Sequence, residues 1–153
     1  MKKTILYNKH IDFGAKIIPF SGFLMPVQYH GINSEHLHVR NSVGLFDVSH
    51  MGEFFLEGEK STDLLQLICT NDISKIGNEK AQYSCLTNEK GGIIDDLIIY
   101  KFNNNKFMLV VNAGNIKKDW DWIKNKNEKF GNKLENRSNN MSLLALQGPK
   151  AYD

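Results

Sequence analysis

The stretch Gly91-Gly92-Ile93-Ile94-Asp95-Asp96-Leu97-Ile98-Ile99-Tyr100 sets two adjacent carboxylates inside an apolar run. The glycines read as a hairpin turn, and Ile93 to Tyr100 reads as a strand of the kind covered on both faces. An unpartnered charge there is costly. Successive side chains of a strand point to opposite faces, so Asp95 and Asp96 cannot both enter one cleft. Asp96 shares its face with Ile94, Ile98 and Tyr100. Two readings stay open from the residues alone. In one, a carboxylate lines a pocket while its neighbour bonds to backbone. In the other, one Asp is exposed at the start of the strand and the other caps the turn.

A second polar cluster lies in Gly44-Leu45-Phe46-Asp47-Val48-Ser49-His50-Met51-Gly52. Asp47, Ser49 and His50 have the residue types of a catalytic triad. They are too close in sequence for its geometry, and no nucleophile elbow is present, so a structural hydrogen-bond network is the better reading. His36 and His38 fall on different sides of a helix, and His10, His30 and His50 lie in separate segments, which argues against a metal site. No phosphate-binding glycine motif occurs.

Local pattern gives the elements on which these groups sit. Ile5 to Phe13 reads as a short helix closed by Gly14. Lys16 to Phe20 and Leu24 to Tyr29 read as strands about Ser21-Gly22, with Pro26 suggesting an edge. Asn33-Ser34 caps a helix over Glu35 to Asn41, and Leu45 to Val48 is a brief apolar run. Gly52 to Leu56 reads as a strand, and Ser61 or Thr62 caps a helix through Leu64, Leu65, Leu67 and Ile68. Gln82 to Leu86, Ile93 to Tyr100 and Lys106 to Val111 form a meander, with turns at 88–92 and 103–105. Ile116 to Phe130 is a helix with Ile116, Trp120, Ile123 and Phe130 inward. Its Lys117, Lys118, Asp119 and Asp121 read as a solvated face. Lys133 to Glu135 and Leu143 to Leu146 are further strands, and Gly148-Pro149 opens another helix. Strands and helices mix without strict alternation, which predicts an α+β fold with mixed or antiparallel sheets and packed helices.

Composition agrees with a globular chain. Its 153 residues are 41% hydrophobic and 24% charged, with a net charge of +2. A chain of this length buries a core without disulfides or metal. The charges are mixed, so nucleic acid is not an expected partner. No apolar run has the length of a membrane span. Cys69 and Cys85 lack metal-ligand spacing and read as small buried hydrophobes in a reducing, cytoplasmic setting.

Phe46-Asp47-Val48-Ser49-His50-Met51 and Gly91-Gly92-Ile93-Ile94-Asp95-Asp96-Leu97 together resemble the two signature stretches of the glycine cleavage T-protein family, the folate-dependent aminomethyltransferases. Supporting matches run along the chain: Thr4 to His10 with Gly14, Phe20-Ser21-Gly22-Phe23, Met25-Pro26-Val27-Gln28-Tyr29, Val39-Arg40, Thr70-Asn71-Asp72, Val110-Val111-Asn112-Ala113 and Leu146-Gln147-Gly148-Pro149. Phe23 stands where the family usually has Trp.

The resemblance implies a three-domain ring around a folate site. Residues 1–50 would open the first domain, 51–137 would form most of the second, and 138–153 would return to the first. It implies that the chain is the N-terminal portion of such an enzyme, inactive and prone to self-association by itself. The implied reaction moves a one-carbon unit from the aminomethyl-lipoyl arm of the H-protein to tetrahydrofolate, with release of ammonia and no metal. Asp96 aligns with the catalytic acid, which acts by electrostatics and by orienting the attacking nitrogen. Met51, Tyr83, Leu86, Tyr100, Val110 and Asn112 match positions near the pterin and its linker. Two related readings share these residues: a folate-dependent demethylase of small onium compounds, and a non-catalytic folate-binding relative. The match in the strand after Met51 favours the T-protein, and Asp96 argues against a non-catalytic role.

Overall fold

The computed structural model describes residues 1–153. In chain order the elements are β1 (Lys2–Lys3), α1 (Tyr7–Asp12), β2 (Lys16–Phe20), β3 (Phe23–Gln28), α2 (Ile32–Asn41), β4 (Gly44–Asp47), β5 (Gly52–Glu57), α3 (Ser61–Ile68), β6 (Lys80–Thr87), β7 (Ile93–Asn103), β8 (Lys106–Val111), α4 (Ile116–Asn127), β9 (Lys133–Asn136) and β10 (Leu144–Gln147). The architecture is α+β with mixed and antiparallel sheets, as the pattern predicts. No helix is long and apolar enough to cross a membrane.

Two compact units form. One comprises residues 1–50 with 141–153, the other residues 51–140. In the first, β1, β3 and β2 make a three-stranded sheet and β10 pairs antiparallel with β4. Pro26 therefore sits on the middle strand, not on an edge. It survives there because β1 pairs only with Phe23 and Leu24, so on that side no partner strand reaches Pro26. The cap of α2 also differs from the pattern. Glu35 Oε1 accepts the backbone N–H groups of Tyr29, His30 and Gly31, at 2.7, 2.7 and 3.0 Å. A carboxylate in a nest of amides replaces the expected Asn33-Ser34 cap. Residues 148–153 form turns where Gly148-Pro149 predicts the opening of a helix.

The second unit is one antiparallel sheet in the order β6-β7-β8-β5-β9. One face buries Phe54, Leu56, Phe107, Leu109, Val111, Leu97, Ile99 and Leu86 against Leu64, Leu65 and Ile68 of α3 and Ile123 of α4. Each such side chain contributes about 1.5–3 kcal/mol on burial. Ser61 and Thr62 do not cap α3: Ser61 Oγ is buried without a partner, and Thr62 Oγ1 donates to the Asn104 carbonyl.

Gly52 opens β5 where α4 crosses closely. A Cβ there would meet Ile116 Cγ1 at 2.7 Å and Val111 Cγ2 at 2.8 Å. Gly52→Ala is expected to lower unfolding stability by about 1–2 kcal/mol through overpacking, read as a lower midpoint in chemical denaturation.

Candidate functional site

The pairing register sorts the predicted site residues by face. Across the second unit's sheet, Glu53, Val110, Ile98 and Tyr83 are successive partners on β5, β8, β7 and β6, and so point to the face opposite the core. Met108 and Tyr100 make the neighbouring row. Asp96 opposes Cys85, and Asn112 follows directly after the Val111–Leu97 pair. Met51 immediately precedes the Gly52–Val111 pair. The register therefore gathers Met51, Tyr83, Asp96, Tyr100, Val110 and Asn112 on one side of the sheet.

Leu86 is the exception. It pairs with Asp95 and is fully buried in the core cluster, so its side chain lies on the other face from Asp96. Of the residues matched to the pterin and its linker, Leu86 alone turns its side chain into the core. Cys85, expected to be buried, is half-exposed on the Asp96 face, while Cys69 is buried with its thiol pushed up to about 12 by burial.

The Asp96 carboxylate is held from two directions. The Tyr83 hydroxyl donates to Oδ2 at 2.6 Å, and Asn112 Nδ2 donates to Oδ1 at 3.0 Å. Tyr83 is 63% exposed, and the hydrogen bond it gives Asp96 is the main cause that raises its phenol above the ordinary value. Asn112 Nδ2 also donates to Asp95 Oδ1 at 3.1 Å. The two acids do point to opposite faces, with Asp95 buried among Leu97 and Ile99. Yet Asn112 sits past the end of β8, where it can bridge both. Asp95 and Asp96 are thus coupled through one amide.

Asp119, expected on a solvated face, is instead fully buried on α4. Helical spacing is the signal that reveals it, because it lies three residues after Ile116 and four before Ile123 on the inward stripe. Neither of its carboxylate oxygens has a hydrogen-bond partner, and burial together with the charge of Asp95 pushes its carboxyl up to about 7. Glu53 is a second buried acid. Neither of its carboxylate oxygens has a partner, and burial raises it to about 7. Its position on a strand between Gly52 and Phe54 carries no local signal of this.

In the first unit the network around Asp47 is structural in form. His10 donates or accepts between Tyr29 Oη at 2.7 Å and Asp47 Oδ2 at 2.9 Å, and the Ser49 amide donates to Asp47 Oδ1 at 3.0 Å. His50, the expected third member, has no partner at Nδ1, and Ser49 Oγ donates to the Leu143 carbonyl. The acid's histidine is therefore His10, which bridges Asp47 to the Tyr29 hydroxyl.

The fold and its face define an α+β module that presents a hydrogen-bonded carboxylate beside aromatic and apolar side chains on a sheet surface. The chain belongs to the GCVT N-terminal domain family, whose model matches residues 6–153. An aminomethyltransferase of Flavobacterium psychrophilum is 59% identical over the whole chain, and one of Staphylococcus carnosus is 50% identical. The crystal structure of the glycine cleavage system aminomethyltransferase T from Bartonella henselae superimposes with a TM-score of 0.86 at 38% identity, covering 98% of this chain and 41% of that one. The chain spans about 42% of the length of the curated relatives it matches.

Proposed function

We propose that these residues carry part of the tetrahydrofolate site of a glycine cleavage aminomethyltransferase, with Asp96 as its acid. In this reading the two units supply parts of the first and second domains. The donor is the aminomethyl group on the lipoyl arm of the H-protein, and the products are methylenetetrahydrofolate and ammonia. One observation carries the proposal: an Asp96 carboxylate fixed by Tyr83 and Asn112 on a partly exposed sheet face, in a chain of this family.

The residues fit a reduced pterin. Its ring is flat and carries N–H donors, which asks for apolar or aromatic walls and an anionic acceptor. Tyr83, Tyr100 and Met51 are the aromatic and soft side chains on that face, and Asp96 is its carboxylate. Tetrahydrofolate supplies the nitrogens that accept the one-carbon unit. Asp96 provides a fixed negative charge where positive charge develops, and its two hydrogen bonds hold that charge in place before the reaction starts. Tyr83 and Asn112 are positioning residues for it.

The direct check uses a chimera in which residues 1–153 precede the remainder of the Flavobacterium psychrophilum relative. With aminomethylated H-protein it should release ammonia only when tetrahydrofolate is present. Release that is independent of tetrahydrofolate would refute the reading. In the same chimera, Tyr83→Phe removes one of the two hydrogen bonds to Asp96. Turnover is expected to fall on the order of tenfold, with thermal stability unchanged because the ring is exposed. Unaltered turnover would show that the Tyr83 hydroxyl does not position the acid.

A further inference from the structure

The start of β7 and the end of β8 set one amide against two acids. Asn112 Nδ2 lies 3.1 Å from Asp95 Oδ1, 3.0 Å from Asp96 Oδ1 and 3.4 Å from the Asp96 carbonyl oxygen. All three atoms are acceptors, so the nitrogen of the side chain, and not its oxygen, must face them. Both amide hydrogens are spent there, and the amide plane carries Oδ1 away from the acids. Asn112 precedes a short 3-10 turn at 113–115, where an asparagine oxygen commonly caps the turn, yet it makes no such bond. Oδ1 therefore has no partner in the chain, and on this half-buried residue it is open to solvent. Beside Asp96 the strong side-chain donor is the Tyr83 hydroxyl, and it is already spent on Asp96 Oδ2. What remains for a ligand next to Asp96 is a pair of acceptors, the carboxylate and Asn112 Oδ1.

We propose that Asp95 is a positioning residue whose carboxylate locks the Asn112 amide with Oδ1 turned outward, so that the face selects ligands bringing N–H donors, a reduced pteridine over an oxidised one. The proposal deepens the assignment of this face to tetrahydrofolate and rests on it. Asp96 alone would give Asn112 a single side-chain anchor about which to rotate. Asp95 supplies the second, from the opposite side of the strand. Burial alone would raise Asp95, but its hydrogen bonds, that from Asn112 among them, hold it below the usual carboxylate range. It is thus ionised at neutral pH and can only accept. A tetrahydropteridine carries hydrogens on the two nitrogens of its reduced ring, where the oxidised ring carries lone pairs. A lone pair set against a fixed acceptor is repelled and left unpaired, and a site built for N–H rejects the analogue that lacks it.

Two measurements test this. In the 153-residue chain, NMR should show nuclear Overhauser contacts from the Asn112 side-chain amide protons to the β-protons of both Asp95 and Asp96. Those amide protons should also exchange with solvent more slowly than those of the exposed Asn104. In the chimera, calorimetric titration should give tetrahydrofolate an affinity on the order of tenfold or more above that of folic acid. Asp95→Leu removes the acceptor and fills its volume. It should narrow that ratio toward one through loss of tetrahydrofolate affinity, whereas general damage to the fold would weaken both ligands and keep the ratio. Asn112→Ala removes the outward oxygen itself and should narrow the ratio as well, which keeps the test decisive if Asp95→Leu does not fold. Amide protons of Asn112 that contact only one acid, or a ratio unchanged in the variants, overturn the proposal. A chimera that needs tetrahydrofolate for ammonia release but keeps its ratio in Asp95→Leu refutes the role of Asp95 alone, while release without tetrahydrofolate refutes the folate reading.

Discussion

Asp96→Asn in the chimera is expected to lower kcat by on the order of a hundredfold or more, while the KM for tetrahydrofolate changes little. A fixed charge that matters most where positive charge develops is lost from the transition state and not from ground-state binding. The geometry also shows why the fold should tolerate the change. Asn112 can go on donating to the remaining carbonyl oxygen, and the Tyr83 hydroxyl can turn from donor to acceptor for the new amide. The stability change is therefore expected to stay within about 1 kcal/mol. Steady-state ammonia release with saturating H-protein, alongside a thermal melt, separates the two effects. A rise in KM with kcat intact would mean that Asp96 binds folate without assisting the transfer. Asp95→Asn is not a neutral control. Asp95 shares the Asn112 amide with Asp96, so a moderate rate loss is expected from it.

Glu53→Gln is expected to stabilise the protein above neutral pH. Glu53 is fully buried without a partner for either oxygen, and its folded carboxyl lies at about 7 against an ordinary 4.5. A carboxyl raised on folding binds its proton more tightly in the native state. Its contribution is intact below about 4.5, declines as pH rises, and is fully lost above about 7. Gln mimics the protonated form at every pH. At pH 4 the variant and parent should match closely, and at pH 8 the variant should be more stable by about 3 kcal/mol. That difference corresponds to a melting temperature higher by on the order of 10 °C. Equal melting temperatures at pH 8 would show that Glu53 is ionised and paired in solution. Asp119 pulls in the same direction over nearly the same range, so the Glu53→Gln variant should still lose some stability between pH 5 and pH 8.

Local pattern carries most of the architecture. The meander of β6, β7 and β8, the inward stripe of α4 and the strands β9 and β10 all follow from periodicity and turn residues. Alternation along β7 is enough to separate Asp95 from Asp96. The illegible part depends on which strand lies beside which. Nothing local in Pro26 says that its strand lies between two others, one of which is only two residues long. Nothing in Leu86 says that its partner across the ladder is Asp95 and not Asp96. Asn112 can be named as a site residue from the sequence, but its bridging of both acids needs the end of β8 to be placed next to the middle of β7. Asp119 shows how charge misleads. Flanking lysines and Asp121 suggest solvent, while the helical period points inward.

Whether the Asp96 face of the second sheet receives tetrahydrofolate is open to amide-resolved NMR of the chimera during a tetrahydrofolate titration. Shift changes are expected to concentrate at Met51, Tyr83, Asp96, Tyr100 and Asn112, with the amides of Leu97 and Ile99 in the core β-strand moving less and those of Leu64 and Leu65 in α3 not moving. Saturable binding that perturbs α3 or the first unit while leaving Tyr83, Asp96 and Asn112 unmoved would place the ligand elsewhere and contradict the assignment of Asp96.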